Sequence, residues 1–234
     1  MFSIPFRSRT LATVAVAFAL LVASPIFAQQ APVAPLTAEP DEVVIAFDDI
    51  TITRAEFDEA FDVAARTTAI GQGLPVTDEV LDEFEPFRAE FLEQYATQRV
   101  LAAAAEQRGL AADDATVDAV VDELRQEQLD DGAFGAWLET AGYDDEQRLR
   151  EMLGINLSVQ ALVDELALAI DIDPSDVAAW YEANPDVVTD EGGSMVPLAE
   201  VEEEIAQLLL QEALIAEVGA ITASAGLELF PSGR

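Results

Sequence analysis

Cysteine, histidine and lysine are missing altogether from this 234-residue chain. Without cysteine it carries neither a disulfide nor a lipid-modified thiol for membrane attachment. Without histidine as well, there is no Ser–His or Cys–His nucleophile and no imidazole or thiolate metal site, and no Gly-rich phosphate loop occurs. No catalytic residue, metal or cofactor is expected. Positive charge is the next shortage: 11 arginines face 46 acids, for a formal net charge of −35. A phosphate backbone asks for a basic stripe, so nucleic acid is excluded as a partner and an anionic lipid surface is disfavoured. At this density a chance pair of acids carries no information about a glycosidase-like dyad. The acid excess reads as a solvated surface that keeps the chain soluble.

Long apolar runs are scarce too. One stands at residues 11 to 23, preceded by Arg7 and Arg9 and followed by "SPIFA", which ends on the small Ala28. That pattern is a secretory signal peptide over residues 1 to 28, and the run is shorter than the roughly 20 residues that span a bilayer. The expectation is an exported protein, on the periplasmic or extracellular side of the cytoplasmic membrane, with no stable membrane anchor after cleavage. Residues 29 to 42, "QQAPVAPLTAEPDE", are rich in Pro and Ala without periodicity and read as a flexible leader, so order begins near Val43.

What is present is helical pattern. Half the residues are apolar, 51%, while glycines and strand-like runs are few, which points to a mostly α fold. The exception is "EVVIAFDDITITRAEF" at 42 to 57, where Val43, Ile45 and Phe47, then Ile50 and Ile52, alternate around Asp48-Asp49 as in a β-hairpin. Thr53 and Glu56 form a T-x-x-E capping box for a first helix, which runs through Phe57, Ala60 and Phe61 to the break at "GQGLP". A second pattern starts near Thr77, bends at Pro86 and places Phe84, Phe87, Phe91 and Tyr95 on a core face before stopping at Gly109. Asp113 caps a third helix. A short fourth carries Phe134, Trp137 and Leu138 and stops at Gly142, and Asp144 caps a long fifth. Asp173-Pro174 starts another helix and Pro197 the last, with "LELF" at 227 to 230 as a closing strand that pairs with the hairpin. That pairing folds the last helix onto the N-terminal half and buries Ile205, Leu208 and Leu209 there.

The ordered set of these pieces resembles the N-terminal chaperone module of the SurA and PrsA family of exported folding factors. The resemblance rests on "VVIAFDDITITRAEFDEAF", "FLEQYATQRVLAAAAEQRGL", "DDATVDAVVDELRQEQ", "AFGAWLETAGYDDEQRLREML", "DIDPSDVAAWYEANPD" and "VPLAEVEEEIAQLLLQEALIAEVGAITASAGLELF". In that family a parvulin-type prolyl isomerase domain usually sits between "YEENP"-like residues and the last helix. Here the space is residues 187 to 196, far short of the roughly 50 residues a domain needs, and the His side chains of a parvulin site are lacking.

The resemblance implies a helical chaperone domain over residues 43 to 186, a linker at 187 to 196 in place of the isomerase domain, and residues 197 to 234 returning as helix and strand. It implies an extracytoplasmic chaperone that holds unfolded or exported client proteins through apolar surface, without isomerase activity. The alternative is a dedicated assembly or structural subunit that holds one partner protein in the envelope. Apolar surface left open near helix junctions is what such a grip needs, and Trp137, Tyr143, Met152, Leu153, Trp180 and Tyr181 are the candidates for it. "DIDPSDVAAWYE" places Asp171, Asp173, Ser175 and Glu182 at calcium-loop spacings, but Asp176 stands where the loop needs Gly, so Asp173 is read as a helix cap.

Overall fold

A computed structural model describes residues 36–127, 131–189 and 195–234. The signal segment at 1 to 28, the first half of the leader and the middle of the 187 to 196 link lie outside the described residues.

Strands β1 (Val43–Phe47) and β2 (Ile50–Thr53) form the expected antiparallel hairpin. Its turn residue Asp48 takes a φ of 45°, a left-handed conformation that Asp tolerates better than most residues because its short side chain bonds locally. Strict alternation fails at one point. The register shifts between Val43 and Ile45, and this bulge turns both Val44 and Ile45 into the core. At the other end of the chain, β3 (Glu228–Leu229) pairs antiparallel with the free edge of β1, giving the order β2-β1-β3. Residues just before the hairpin are held as well: the Thr37 and Ala38 amides donate to the Pro231 carbonyl at 2.7 and 3.2 Å. The Arg54 guanidinium donates to the carbonyls of Leu36 and Ala38. Order therefore starts earlier than Val43, because residues 36 to 42 find partners in the C-terminal tail and in Arg54.

Helix α1 (Arg54–Gly71) opens on the capping box, with the Glu56 carboxylate accepting from the Thr53 amide at 2.7 Å. Next come the short α2 (Asp78–Asp82), a 3-10 turn (Glu85–Phe87) and α3 (Arg88–Gln107). Pro86 lacks the amide a continuous helix needs, so the helical phase resets there. Phe91 and Tyr95 fall inward beside Phe57 and Phe61, but Phe87 is 57% exposed, against the core position its spacing suggested. Asp113 caps α4 (Asp114–Glu127), which is followed by α5 (Asp131–Ala141) and α6 (Glu146–Ala169). The α6 cap is Asp145, one residue past the Asp144 expected, with its carboxylate accepting from the Arg148 amide at 2.9 Å. Asp173 caps α7 (Pro174–Ala183), and α8 (Leu198–Ser224) starts after Pro197.

Four apolar clusters hold these elements. The first joins the sheet, α1 and the first half of α3, and the second joins α4, α5 and the start of α6. In the third, the later halves of α3 and α6 receive Leu214, Val218 and Ile221 of α8. In the fourth, α7 packs on Ile205 and Leu209 of α8. At about 100° per residue, Leu214 lies on the opposite side of the helix from Ile205, so α8 changes its packing face halfway along. Ile205 and Leu209 are therefore covered by α7 and not by the N-terminal half, and Leu208 is 37% exposed instead of buried.

Candidate functional site

The side chains singled out in the sequence fall in two places. Trp137, Tyr143 and Leu153 belong to the α4–α5–α6 cluster, while Trp180 and Tyr181 pack in the α7–α8 cluster. Met152 is half-buried on α6. The structure thus brings together the residues of the α5–α6 corner and keeps the α7 pair apart from them.

The corner closes on Gly142, whose φ is 82° and where a Cβ would stand 2.8 Å from Cδ of Arg66 on α1. Only glycine meets both the left-handed conformation and the close approach. The Trp137 ring stacks on Phe134 at 5.9 Å and leans on Tyr143 at 6.0 Å. Burial pushes the Tyr143 hydroxyl up to about 12, with Arg148 nearby opposing the shift, so the phenol stays neutral at ordinary pH. Leu153 is 4% exposed, which places it behind the wall and not on it. Between α1 and this corner runs an open groove of about 690 Å³, where Leu138 and Tyr143 meet the carboxylates of Asp62, Glu139, Asp144 and Asp145.

The scarce arginines tie the elements of this frame together. Asp58 accepts from Arg54 and Arg88, both at 2.6 Å, which ties α1 to the start of α3. Arg148 pairs with Glu59 at 2.7 Å and joins α6 to α1. Arg125 pairs with Glu146 at 2.6 Å and Arg150 bridges to Asp118, both joining α4 to α6. The Arg150 hydrogen bond, assisted by Arg125, holds the Glu146 carboxyl below its usual range, and Arg88 does the same for Glu85.

On α7 the Tyr181 hydroxyl donates to the Val196 carbonyl at 2.7 Å, tying the helix to the segment that leads into α8. Large apolar side chains that sequence reading passed over are exposed towards the C-terminal part, Leu168 at 89%, Val187 at 70% and Met195 at 46%, as is Leu208, which it had placed in the core. One signal could have found the last of them. Leu208, Leu209 and Leu210 are consecutive, and no single helix face can cover three residues in a row. Asp173, the calcium-like position, accepts from the Ser175 amide at 2.7 Å and hydroxyl at 2.6 Å, which makes it a cap. Among the described residues no three His, Cys, Asp or Glu side chains are grouped to hold a metal ion. What the arrangement offers chemically is apolar contact bordered by carboxylates.

A mostly helical module, closed by a sheet drawn from both ends of the chain and carrying exposed apolar side chains, is the class this geometry defines. Residues 1–163 match the model of the SurA-like N-terminal domain, and the chain belongs to that family. The Chaperone SurA of Alkalilimnicola ehrlichii is 30% identical over 206 residues, which cover 81% of this chain and 45% of that protein. The chain thus spans about half the length of the curated relative it matches. No solved structure is significantly similar.

Proposed function

We propose that this protein is an extracytoplasmic chaperone of the holdase type, which shields unfolded or exported proteins through apolar contact and has no prolyl isomerase activity. The observation that carries the reading is family membership: residues 1–163 match a SurA-like domain, and a relative 30% identical over 81% of the chain is named a chaperone. Val187 and Met195 between α7 and α8, and Leu208 on α8, support it, since holding a client needs apolar surface open to water. Trp137, Tyr143 and Met152 at the corner, with Trp180 and Tyr181 on α7, are the client-contacting side chains, and Leu153 backs them from the core. Residues 1 to 28 direct export and are then removed. The ten-residue span 187 to 196 and the lack of histidine support the absence of isomerase activity.

Light scattering from several unrelated unfolding proteins tests the reading. The expected result is suppression at near-stoichiometric ratios, with no acceleration of an X-Pro isomerisation that takes tens of seconds uncatalysed. At least one of Trp137→Asp and Met152→Asp should keep its melting temperature while losing suppression, because an exposed carboxylate costs little and a buried one several kcal/mol. Failure to suppress any client refutes the holdase. Recovery of a single partner without general suppression points to a dedicated assembly subunit, and a concentration-dependent isomerase rate refutes the catalytic part.

A further inference from the structure

The last third of the chain is charged with one sign only. From residue 151 to 233 there is no arginine or lysine, and α8 alone carries Glu200, Glu202, Glu203, Glu204, Glu212 and Glu217. Among the described residues, ion pairs reach this stretch from Arg108, Arg148 and Arg234 at its borders, and none involves α7 or α8.

Helix α8 is also apolar out of proportion to its burial. Its most apolar 18 residues match those of α6 in hydropathy, yet only 6% of them are buried, against 28% in α6. The cause is the change of packing face. One side meets α7 over the first half and the opposite side meets α3 and α6 over the second, so a stripe between them is left open. Leu208 and Ile215, two turns apart, share that stripe; Leu208 is exposed, Ile215 half-buried, and a Cβ on Gly219 would meet nothing within 4 Å. Glu204 and Glu212, one turn before and after Leu208, are both exposed. Acid and apolar side chains therefore alternate along the stripe.

We propose that this stripe docks an apolar segment of another protein that carries arginine or lysine among its apolar residues. Charge selects this occupant. A second copy would bring two glutamate-rich helices without cations face to face, and like charges at such spacing repel. An anionic membrane surface is repelled by the same field. A polypeptide with interleaved apolar and basic side chains covers Leu208 and Ile215 while its cations sit over Glu204 and Glu212, and its grip weakens as salt screens the pairs. The inference rests on the chaperone reading and adds the class of client that reading leaves open.

The test uses the full chain and fluorescent peptides that share a Leu/Phe core and carry Arg, Gln or Glu at the interleaved positions. The Arg peptide is expected to bind tightest and the Glu peptide weakest, with the difference lost at high salt. The double variant Glu204→Gln/Glu212→Gln should weaken the Arg peptide about fivefold, leave the Gln peptide unchanged and melt like the parent. Leu208→Ser/Ile215→Ser should weaken all three peptides. Equal binding of Arg and Glu peptides, or no response to the glutamate variants, overturns the proposal. If aggregation suppression survives in that case, only the assigned surface and client class are wrong; if suppression is absent too, the chaperone reading falls with them. A mass increase in sedimentation that Ile215→Ser abolishes would give the stripe to a second copy and also overturn it.

Discussion

Up to Arg150 seven of the eight described arginines, Arg54, Arg66, Arg88, Arg108, Arg125, Arg148 and Arg150, each hold an acid, most of them on a neighbouring element, and Arg99 donates to the Tyr95 hydroxyl. Beyond Arg150, until Arg234, there is no cation to use, and α7 and α8 are held by apolar contacts such as Val177 against Ile205. Exposed or half-exposed ion pairs are worth about 0–1 kcal/mol each, so the first region does not owe its stability to them. That comes from the packed rings of Phe57, Phe61, Phe91 and Tyr95, with centroids 5.4 Å apart at the closest, and the pairs set which helix faces which. The second region has the apolar side chains and, among the described residues, no ion pair on α7 or α8. A frame fixed in register beside a less covered, one-signed face is a sensible division for a protein that binds varied chains, because apolar contact is not directional and tolerates many partners.

The comparison breaks most completely if the second region can be removed. Deleting residues 197 to 234 strips β3 from β1 and Leu214, Val218 and Ile221 from the third cluster, leaving a two-stranded hairpin and an uncovered apolar face. The cooperative melting transition should be lost. A truncated chain that still melted cooperatively would show that the first region stands alone.

A smaller and sharper contrast comes from two leucines. Leu149 is 2% exposed in the second cluster, and Leu149→Ala should cost about 3 kcal/mol in urea unfolding. Leu208→Ala should cost only about 0.5 kcal/mol, because the side chain is already in contact with water. Equal costs would erase the difference in cover between the two regions.

The smallest effect is on acidification. The folded-state carboxyls of Glu85 and Glu146 are depressed by Arg88 and Arg150, so their contribution is present above the ordinary glutamate range and is lost as pH falls through the lower folded values. Glu93 is shifted the other way by burial and offsets part of the loss. In the second region the comparable depressed group is Asp173, held by Ser175 at the start of α7. Hydrogen exchange, corrected for its intrinsic pH dependence, should therefore loosen first at the α4–α6 contact, at the start of α3 and in the first turn of α7. An α4–α6 contact unaffected between pH 7 and 3 would show that its ion pairs do not set register.

Much of the architecture could be read in advance because its signals are local. The Thr53–Glu56 box, the Asp113 and Asp173 caps and the Gly142 corner depend on residues within a turn of each other, and each stands where its spacing put it. Readings that depended on continuity failed: Phe87 left the core because Pro86 reset the phase, and the leader ended early because its partner, Pro231, lies at the far end of the chain. The candidate side chains were chosen as aromatic or flexible apolar groups near breaks. Nothing in that choice could separate Trp137 from Leu153, since a wall residue and a core residue have the same chemistry.

Composition and order alone determined that the chain is mostly helical, acidic, without thiol or imidazole chemistry, and built on the pattern of a SurA-like module, because these follow from residue type and nearest-neighbour spacing. Which apolar residues stay uncovered was decided only in three dimensions. Burial belongs to a pair of surfaces, and α8 finds its two partners on opposite sides, so Ile205 and Leu208, chemically alike and three residues apart, end up one in the core and the other facing water.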